Sequence, residues 1–386
     1  MKALILGLGV SGLAAARLLR AQGWELVAVD RNPQKRSDIF VVLPESPMPS
    51  LEGVDLLLVS PGIPAGHPLV QRAAELGIER VGEIDLAFRS LRNVVIGVTG
   101  SNGKTTAVSL IAHALGARAL GNIGAPLSEY ALAADEREIL VVELSSFQLE
   151  SLHQRCLDLA LILNITPNHL DRHASFEEYA AAKLHIGECL KPNGSCLVST
   201  EVKERFGLHC PVFGNSYQTV EAAHAVCRHF GLSEAKWEAA LVSFQKPPHR
   251  MEFVAERGGI SFYNDSKATS VDAVLYAVRL MEGPLILLAG GTYKGSSYGP
   301  WIEPFRGKVK RVVAFGPAGA LIEEELRGKV PCDRFVLLEE AFAAALKGAC
   351  QGDRILLSPG GASFDQFRNY EERGEKYREI VYNCII

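Results

Sequence analysis

Short apolar runs alternate with amphipathic stretches along the whole chain, and turn residues separate the two. Runs such as ILVVEL (139–144), LALILNI (159–165) and LILLAG (285–290) have the length of buried strands, and helical periodicity fills the stretches between them. Near-continuous apolar strands that alternate with helices are typical of mostly parallel sheets covered on both faces. The pattern therefore predicts an α/β protein.

Breaks in this alternation predict three tandem α/β domains, at 1–92, 93–247 and 248–386, with Pro247 and Pro248 as the second break. The first begins with a βαβ unit and is Rossmann-like. The central domain has a mostly parallel sheet and a phosphate-binding loop, and the third is again Rossmann-like. We further predict a helix around 176–190, weak patterning over 201–218, and a closing helix after Gly374.

Composition and charge narrow the class of protein. The chain of 386 residues is 48% apolar and 22% charged, and its net charge is −4. Since the basic residues are dispersed, we expect no nucleic acid and no membrane surface as partner. Eight scattered cysteines without a C-x-x-C pair predict reduced thiols and a cytoplasmic protein. No apolar run approaches the ~18 residues of a membrane span.

The segment IGVTGSNGKTT (96–106) is an apolar strand that runs into a glycine-rich loop and a helix start. Such a loop cradles phosphates with its backbone N–H groups, Lys104 can reach the β and γ phosphates, and the Thr105 hydroxyl can ligate Mg²⁺. Val98 stands where the usual motif has its first glycine, and a plain glycine turn is the alternative. We predict ATP binding by Gly100, Ser101, Asn102, Gly103, Lys104, Thr105 and Thr106.

Two further strand ends of the central domain carry candidate metal ligands. Glu143 closes an apolar strand, where ligands of open α/β sheets bind, although an exposed carboxylate is the alternative. NITPNHLDRH (164–173) presents His169, Asp171 and His173 together. Lys183, in a helix, would by itself be interpreted as a solvated lysine.

The outer domains add candidate binding groups. Gly7-x-Gly9-x-x-Gly12 and Asp30 form a Rossmann-like fingerprint that suits nucleotide phosphates or ribose. In the C-terminal domain, Arg250, Lys267 and Lys294 flank turns at one expected sheet edge and can stabilise phosphate or carboxylate oxygens. The alternative is scattered surface charge. Ser363 opens a turn that could bind a carboxylate.

In this order, the motifs resemble the Mur ligase family of ATP-dependent amide-bond ligases over residues 1–386. The GSNGKTT loop, Glu143, NHLDRH, His249-Arg250 and NDSKAT (264–269) are family-wide, whereas ELSSFQLE, GNIG and SPGGASFDQFRNYEERG are similar to the member that adds D-glutamate. The resemblance implies addition of D-glutamate to UDP-N-acetylmuramoyl-L-alanine, through an acyl phosphate, in peptidoglycan precursor synthesis. It implies ATP and Mg²⁺ as cofactors and a cytoplasmic monomer that acts on small molecules.

The resemblance also implies roles for individual residues. One Mg²⁺ would be held by Thr105 and Glu143, and a second by His169 and a carbamylated Lys183. The implied catalytic residues are Lys104, Glu143, His169, Lys183 and Lys267. The remaining expected contacts are Val10, Ser11, Asp30, Arg31, Ser60, Gly62 and Asn122 for the UDP substrate, Thr269, Lys294, Ser363 and Tyr370 for D-glutamate, and Arg250, Asn264, Asp265 and Lys267 for ATP. Asn168, Thr292 and Gly360-Gly361 depart from the usual pattern of the family.

Three other functions remain open on the sequence. The protein could be another ligase of the same family that adds a different amino acid, including a folylpolyglutamate type. The GxGxxG turn with Asp30 alone would suit a nicotinamide-dependent oxidoreductase, although that leaves GSNGKTT unexplained. A regulatory or transport NTPase with a phosphate-binding loop would leave the third domain without a role.

Overall fold

The computed structural model describes residues 1–32, 40–169, 172–215 and 218–385, and these contain three β-sheets. The chain separates into two compact units, of which the first combines Met1–Ile165 with Glu177–Phe244 and the second combines Thr166–Phe176 with Gln245–Ile386. Two sheets belong to the first unit and one to the second. The α/β class predicted from the sequence is confirmed, while the boundaries at 92 and 247 stay a prediction.

The first sheet follows the N-terminal apolar runs. Its elements are β1 (Lys2–Leu6), α1 (Val10–Ala21), β2 (Glu25–Val29), β3 (Val41–Leu43), β4 (Leu56–Val59), α2 (Pro68–Glu75), β5 (Glu79–Gly82) and α3 (Glu83–Phe88). The strands are parallel in the order β3-β2-β1-β4-β5. Ile5 of the central strand β1 pairs with Ala28 on one side and Leu58 on the other, and the strand is buried from Ala3 to Leu6. The glycine turn after β1 therefore lies at the carboxyl edge of the sheet, where ligands bind.

The central sheet has the same architecture. Its elements are β6 (Val94–Thr99), α4 (Lys104–Leu115), β7 (Arg118–Gly121), α5 (Leu127–Ala131), β8 (Ile139–Glu143), α6 (Ser146–Leu149), β9 (Leu157–Ile162), α7 (Phe176–Leu184), a 3₁₀ turn (His185–Gly187), β10 (Leu190–Val198), α8 (Thr200–Phe206), α9 (Thr219–His229) and α10 (Glu234–Ser243). All strands are parallel in the order β10-β9-β6-β8-β7. The strand that leads into the phosphate loop is thus the middle one.

The third sheet places its last strand in the centre. Its elements are β11 (Glu252–Arg257), β12 (Ile260–Asn264), α11 (Val271–Leu280), β13 (Leu285–Gly290), a 3₁₀ turn (Gly299–Trp301), α12 (Ile302–Phe305), β14 (Val309–Phe315), α13 (Gly319–Leu326), β15 (Cys332–Phe335), α14 (Leu338–Lys347), β16 (Arg354–Gly360) and α15 (Tyr370–Ile385). The order is β11-β12-β16-β13-β14-β15, and only the edge pair β11 and β12 is antiparallel. Apolar cores cover both faces.

Within the first unit, two buried carboxylates of α3 tie the first sheet to the second. Glu83 Oε1 accepts a hydrogen bond of 2.6 Å from the Ser128 amide, in the first turn of α5. Asp85 Oδ1 accepts one of 2.7 Å from the His153 amide, and its Oδ2 accepts from Arg89. Burial raises the pKa of Glu83, and the hydrogen bonds from Ser128 oppose that rise. Since these acceptors are buried, the two sheets are held together by bonds that water does not compete for.

Several predicted boundaries differ from the structure. The helix expected over 176–190 ends at Leu184, because a 3₁₀ turn follows and β10 begins at Leu190. The closing helix begins at Tyr370, ahead of Gly374. The weakly patterned stretch contains α8 and an isolated parallel bridge between Val198 and Val212.

Candidate active site

The phosphate loop lies between β6 and α4. Gly103 has φ +83, the left-handed conformation that favours glycine, and the helix begins at the next residue, Lys104. The amides of Ser101 and Asn102 donate to the backbone and side-chain oxygens of Asn164, at 2.9 and 2.8 Å. The amides of residues 104 to 106 precede the first hydrogen bond of the helix, from the Ala107 amide to Gly103 O. This helix start provides backbone donors for an anion.

Two lysines meet at one carbonyl of this loop. Lys104 Nζ donates to Gly100 O at 2.7 Å and to Ser101 O at 3.0 Å. Lys183 Nζ, from α7, donates to the same Gly100 O at 2.9 Å, and its side chain is fully buried above the Tyr179 ring. Burial, and then the charge of Lys104, hold the pKa of Lys183 well below its usual value, while Glu143 opposes this shift. Lys183 is therefore not the solvated lysine that its helix alone suggests.

Glu143 forms the acidic side of the same cluster. Its side chain is buried at the end of β8, and Oε2 accepts a hydrogen bond of 2.6 Å from the Thr105 hydroxyl. Oε1 accepts one of 3.2 Å from the side-chain Nδ2 of Asn122. A carboxylate and a hydroxyl in contact beside a phosphate loop are the hard oxygen donors that Mg²⁺ prefers, so these residues fit the metal. The predicted pair Thr105 and Glu143 is brought together.

A cavity of about 510 Å³ in the first unit opens beside this cluster. The glycine turn after β1 forms one wall, where a Cβ at Gly12 would lie 2.1 Å from Gly7 O, so only glycine fits. Asn122 lines the cavity and also contacts Glu143, which brings the cavity to the metal-binding carboxylate. All seven residues predicted for the UDP substrate line it, namely Val10, Ser11, Asp30, Arg31, Ser60, Gly62 and Asn122.

Two of these residues also hold the turn itself. Asp30 accepts from the Leu8 amide at 2.7 Å, and the Ser60 hydroxyl donates to Gly7 O at 2.7 Å. Sequence reasoning missed Glu45, which lines the cavity and contacts His67 at 3.0 Å and Arg31 at 3.3 Å. Only the preceding β3 could have indicated it, and that three-residue strand has too little pattern to be recognised.

A smaller cavity, of about 50 Å³, lies in the second unit. Lys294 Nζ donates to the Thr269 hydroxyl at 3.3 Å, so two residues predicted for D-glutamate meet there. His169, with φ +55, also lines this cavity. The full lining is Asn168, His169, Thr269, Ser270, Val271, Lys294, Ser296, Tyr298 and Gly360.

The other two residues predicted for D-glutamate do not line that cavity. Ser363 is buried, and Tyr370 accepts a hydrogen bond of 2.7 Å from Lys267 Nζ, which also lies 4.0 Å from the ring centroid. Their predicted role stays a prediction. The pairing of His169 with Lys183 also stays a prediction, since the two belong to different units. Asp171 lies outside the described residues.

The residues predicted for ATP in the second unit are largely buried. Asn264 Nδ2 lies within 2.9 Å of His249 Nδ1, 3.1 Å of Glu252 Oε2 and 3.2 Å of Gly374 O. Asp265 accepts from the Ser358 hydroxyl at 3.0 Å and from the Met251 amide at 3.2 Å. Burial raises the pKa of Asp265 to about 7, against these hydrogen bonds and the charge of Arg250.

Arg373, which was not predicted from the sequence, is hydrogen-bonded to two loops, the one that contains Ser266 and the one that contains Gly361. Its fully buried guanidinium donates to Ser266 Oγ and Ser266 O, at 3.0 and 2.9 Å, and to Gly361 O at 3.1 Å. Burial lowers the pKa of Arg373 to about 10. The segment NDSKAT and the turn before Ser363 are thus held by one side chain.

Among the described residues, none of the helices combines the length and apolar character needed to cross a membrane.

Comparison with known proteins gives consistent matches along the chain. Residues 98–207 match the model of the Mur ligase middle domain, residues 249–361 that of the Mur ligase glutamate ligase domain, and residues 1–82 that of the MurD-like N-terminal domain. The UDP-N-acetylmuramoylalanine–D-glutamate ligase of Protochlamydia amoebophila is 40% identical, over 98% of this chain and 97% of its own. The enzyme of that name from Solibacter usitatus is 34% identical, over 99% and 97%.

Solved structures share the fold at lower identity. A MurF ligase from Thermotoga maritima, in complex with ADP, superposes with a TM-score of 0.62 at 15% identity and covers 99% of this chain and 95% of its own. A UDP-N-acetylmuramate–alanine ligase of the same organism gives 0.60 at 15% identity, with complete coverage of both chains. Three matching domain models and relatives above 30% identity over nearly the whole length confirm the predicted resemblance, and the chain belongs to the Mur ligase family.

Proposed function

We propose that the protein is an ATP-dependent, ADP-forming ligase that joins D-glutamate to UDP-N-acetylmuramoyl-L-alanine in peptidoglycan precursor synthesis. Its curated relatives carry the name of this activity and match it over nearly their whole length. The observation that carries the proposal is the contact of the Thr105 hydroxyl with the Glu143 carboxylate, at 2.6 Å, beside Lys104 at the helix start. This is the arrangement that phosphoryl transfer from ATP requires.

The first step activates a carboxylate, which is by itself a poor electrophile. An oxygen of the L-alanine carboxylate attacks the γ phosphorus of ATP, the bond to the β-γ bridging oxygen breaks, and ADP leaves. Lys104 neutralises charge on the transferred group, and backbone amides at the start of α4 bind phosphate oxygens. The contact of Asn122 with both the cavity and Glu143 supports transfer at this end of the cavity.

The second step forms the amide. The uncharged amine of D-glutamate attacks the acyl phosphate carbon, and inorganic phosphate leaves when the tetrahedral intermediate collapses. Cationic side chains stabilise the developing negative charge. Lys294, beside Thr269, binds a carboxylate of the amino acid. Ser363 and Tyr370 provide the remaining contacts to D-glutamate. Lys267 belongs to the ATP contacts together with Arg250, Asn264 and Asp265.

Mg²⁺ completes the site. Thr105 and Glu143 would hold one ion, and it would neutralise phosphate charge when bound. His169 and a carbamylated Lys183 would hold a second. The lowered pKa of Lys183 supports this, because only the uncharged amine reacts with carbon dioxide to give a carbamate.

Each domain has one role in this proposal. Residues 1–92 bind the UDP moiety, 93–247 bind ATP and 248–386 bind the amino acid. We further propose a monomer that acts in the cytoplasm on small molecules, without nucleic acid or membrane. All eight cysteines lie in the described part of the chain and are free thiols, which supports a reducing compartment.

A panel of amino acids tests the proposed function. The protein is incubated with UDP-N-acetylmuramoyl-L-alanine, ATP and Mg²⁺, and one amino acid at a time, and both phosphate release and the product mass are measured. We expect product with D-glutamate alone and no phosphate release without an amino acid. A preference for another amino acid would identify a different ligase of the family, and release that needs no amino acid would indicate a plain NTPase. Tight NADH binding without ligation would favour the oxidoreductase.

A further inference from the structure

One wall of the smaller cavity is a loop that a neighbouring helix holds through a single carboxylate. The loop follows β13 and ends at the 3₁₀ turn Gly299–Trp301. Lys294, Ser296 and Tyr298 are its contributions to the cavity. Lys294 is an exposed residue of this loop and donates to the Thr269 hydroxyl, so the loop backbone sets where its ammonium group can reach.

One carboxylate oxygen of the neighbouring helix α13 gathers three donors from this loop. Glu325 Oε2 accepts from the Ser297 hydroxyl at 2.7 Å, from the Tyr298 amide at 2.6 Å and from the Gly299 amide at 2.8 Å. The two amides open the 3₁₀ turn, where no earlier carbonyl of the turn can accept from them. The Gly299 amide also donates to the Ser297 hydroxyl at 3.1 Å, and that hydroxyl is itself bonded to Glu325. Hydrogen bonds to a charged acceptor are the strong ones, and three on one atom fix the backbone in a single conformation.

Helix α13 and the loop, which Glu325 joins, are each packed into the apolar core. Helix α13 contributes Ile322 and Leu326, both fully buried, to the apolar core. On the loop side, the Tyr298 ring is buried and packs against Trp301 with centroids 4.8 Å apart. Glu325 does not line the cavity. It therefore acts on the cavity only through the loop that it holds.

We propose that Glu325 is a positioning residue that pre-forms the amino-acid site, by fixing the loop that presents Lys294 to a substrate carboxylate. The inference rests on the proposed function, which assigns this cavity to D-glutamate. Without Glu325 the loop samples other conformations, and binding is weakened in proportion to the fraction of molecules that hold the competent one. Phosphoryl transfer, which Lys104 serves, needs no contribution from this loop.

The test compares Glu325→Ala, Glu325→Gln and wild type in steady-state kinetics with each substrate varied in turn. For Glu325→Ala we expect a KM for D-glutamate about ten-fold higher, as for a site competent a tenth of the time, with kcat nearly unchanged. The KM for ATP stays at the wild-type value. Glu325→Gln keeps an oxygen that accepts from the same donors, so it should recover most of the loss. Glu324→Ala, an exposed glutamate of the same helix, is the matched control.

Each other outcome has a defined meaning. An unchanged KM for the amino acid in Glu325→Ala, an equal rise in Glu324→Ala, or a loss confined to kcat would overturn the inference. If Glu325→Ala does not fold, Ser297→Ala removes one of the three donors and must raise the same KM by a smaller factor. If wild type uses another amino acid instead of D-glutamate, the proposed substrate is wrong, and the KM for the amino acid that it does use decides the role of Glu325.

Discussion

The phosphate loop and the C-terminal cavity are built in opposite ways. The loop is one run of consecutive residues, 100–106, and its nearest partners, Asn164, Glu143 and Lys183, lie at ends of neighbouring strands or on a covering helix. The cavity is assembled from four separated pieces of chain, at 168–169, 269–271, 294–298 and 360. One region is specified by a motif, and the other by the way distant segments are fastened together.

The two regions also differ in the position of the side chains that hold their loops in place. The groups that support the loop belong to the cluster around it: Lys104 Nζ bonds to two carbonyls of the loop, and Asn164 and Lys183 bond to its backbone from neighbouring elements. In the C-terminal unit, the fastening groups are Arg373 and Glu325, neither of which lines the cavity. Substitutions in the loop should therefore affect chemistry, whereas substitutions around the cavity should affect binding and stability.

The largest effect is expected for Lys104→Ala. Removing this ammonium takes away charge stabilisation of the transferred phosphate, and we expect the ligation rate to fall by about a thousand-fold or more. The loop retains its glycines and the contacts of Asn164, so the melting temperature should stay close to that of wild type. Phosphate release measures the ligation rate, and thermal unfolding measures the melting temperature. Lys236→Ala, at an exposed position of α10, serves as control, and a near-normal rate in Lys104→Ala would refute the assignment of the loop.

Lys294→Ala should show the opposite signature. Loss of a hydrogen bond from a charged donor costs about 2 kcal/mol, or about thirty-fold in the KM for D-glutamate. The KM for ATP and kcat should change little, since the residue is assigned to amino-acid binding alone. Lys329→Ala, another exposed lysine of the second unit, is the control. Equal changes in the KM for ATP and for D-glutamate would contradict the division between the two regions.

The smallest effect concerns pH and the buried Asp265. Because its folded pKa, about 7, lies above the ordinary 3.8, the folded chain holds this proton more tightly than the unfolded chain. Its contribution to stability is therefore present below about pH 4 and is lost as the pH rises through about 7. Urea unfolding of the second unit at pH 5 and pH 8 measures this change.

Asp265→Asn removes this proton equilibrium. Between pH 5 and pH 8 the variant should gain about 1 to 3 kcal/mol of unfolding free energy relative to wild type, from about 1.4 kcal/mol per pH unit at most. Glu324→Gln, at an exposed position, should leave the pH dependence unchanged. A difference between variant and wild type that stays constant over this range would show that Asp265 is charged throughout, and it would contradict the prediction.

The sequence predicts the fold class well, and it places the residues of the phosphate loop together, because both depend on neighbours along the chain. Apolar runs such as 139–144 and 159–165 became central strands, and the loop keeps its strand, turn and helix in consecutive order. The seven residues that the family resemblance implies for the UDP substrate do line one cavity. Their role in binding UDP stays a prediction. In each case the chemical group and the element that positions it are neighbours along the chain.

The supporting groups could not be predicted in this way. Helix α12 and strand β14 separate Glu325 from the loop that it holds, and Arg373 reaches back to Ser266 across most of the C-terminal domain. Glu83 caps α5 from the preceding domain. As isolated letters these are ordinary charged residues on amphipathic helices, and only the packing of strands distant in sequence shows what they bond to.

The central place of β16 sets an order of events during synthesis on the ribosome. The first sheet is complete once Gly82 has emerged, whereas the third lacks its middle strand until Gly360 is made. Arg354 of β16 pairs with both Ser261 of β12 and Leu285 of β13, so neither pairing can form until Arg354 has been synthesised. Nascent chains that end before β16 therefore expose unpaired strand edges, and their segment Thr166–Phe176 has not yet packed into the second unit, to which it belongs. Such chains are the species that chaperones have to protect from aggregation.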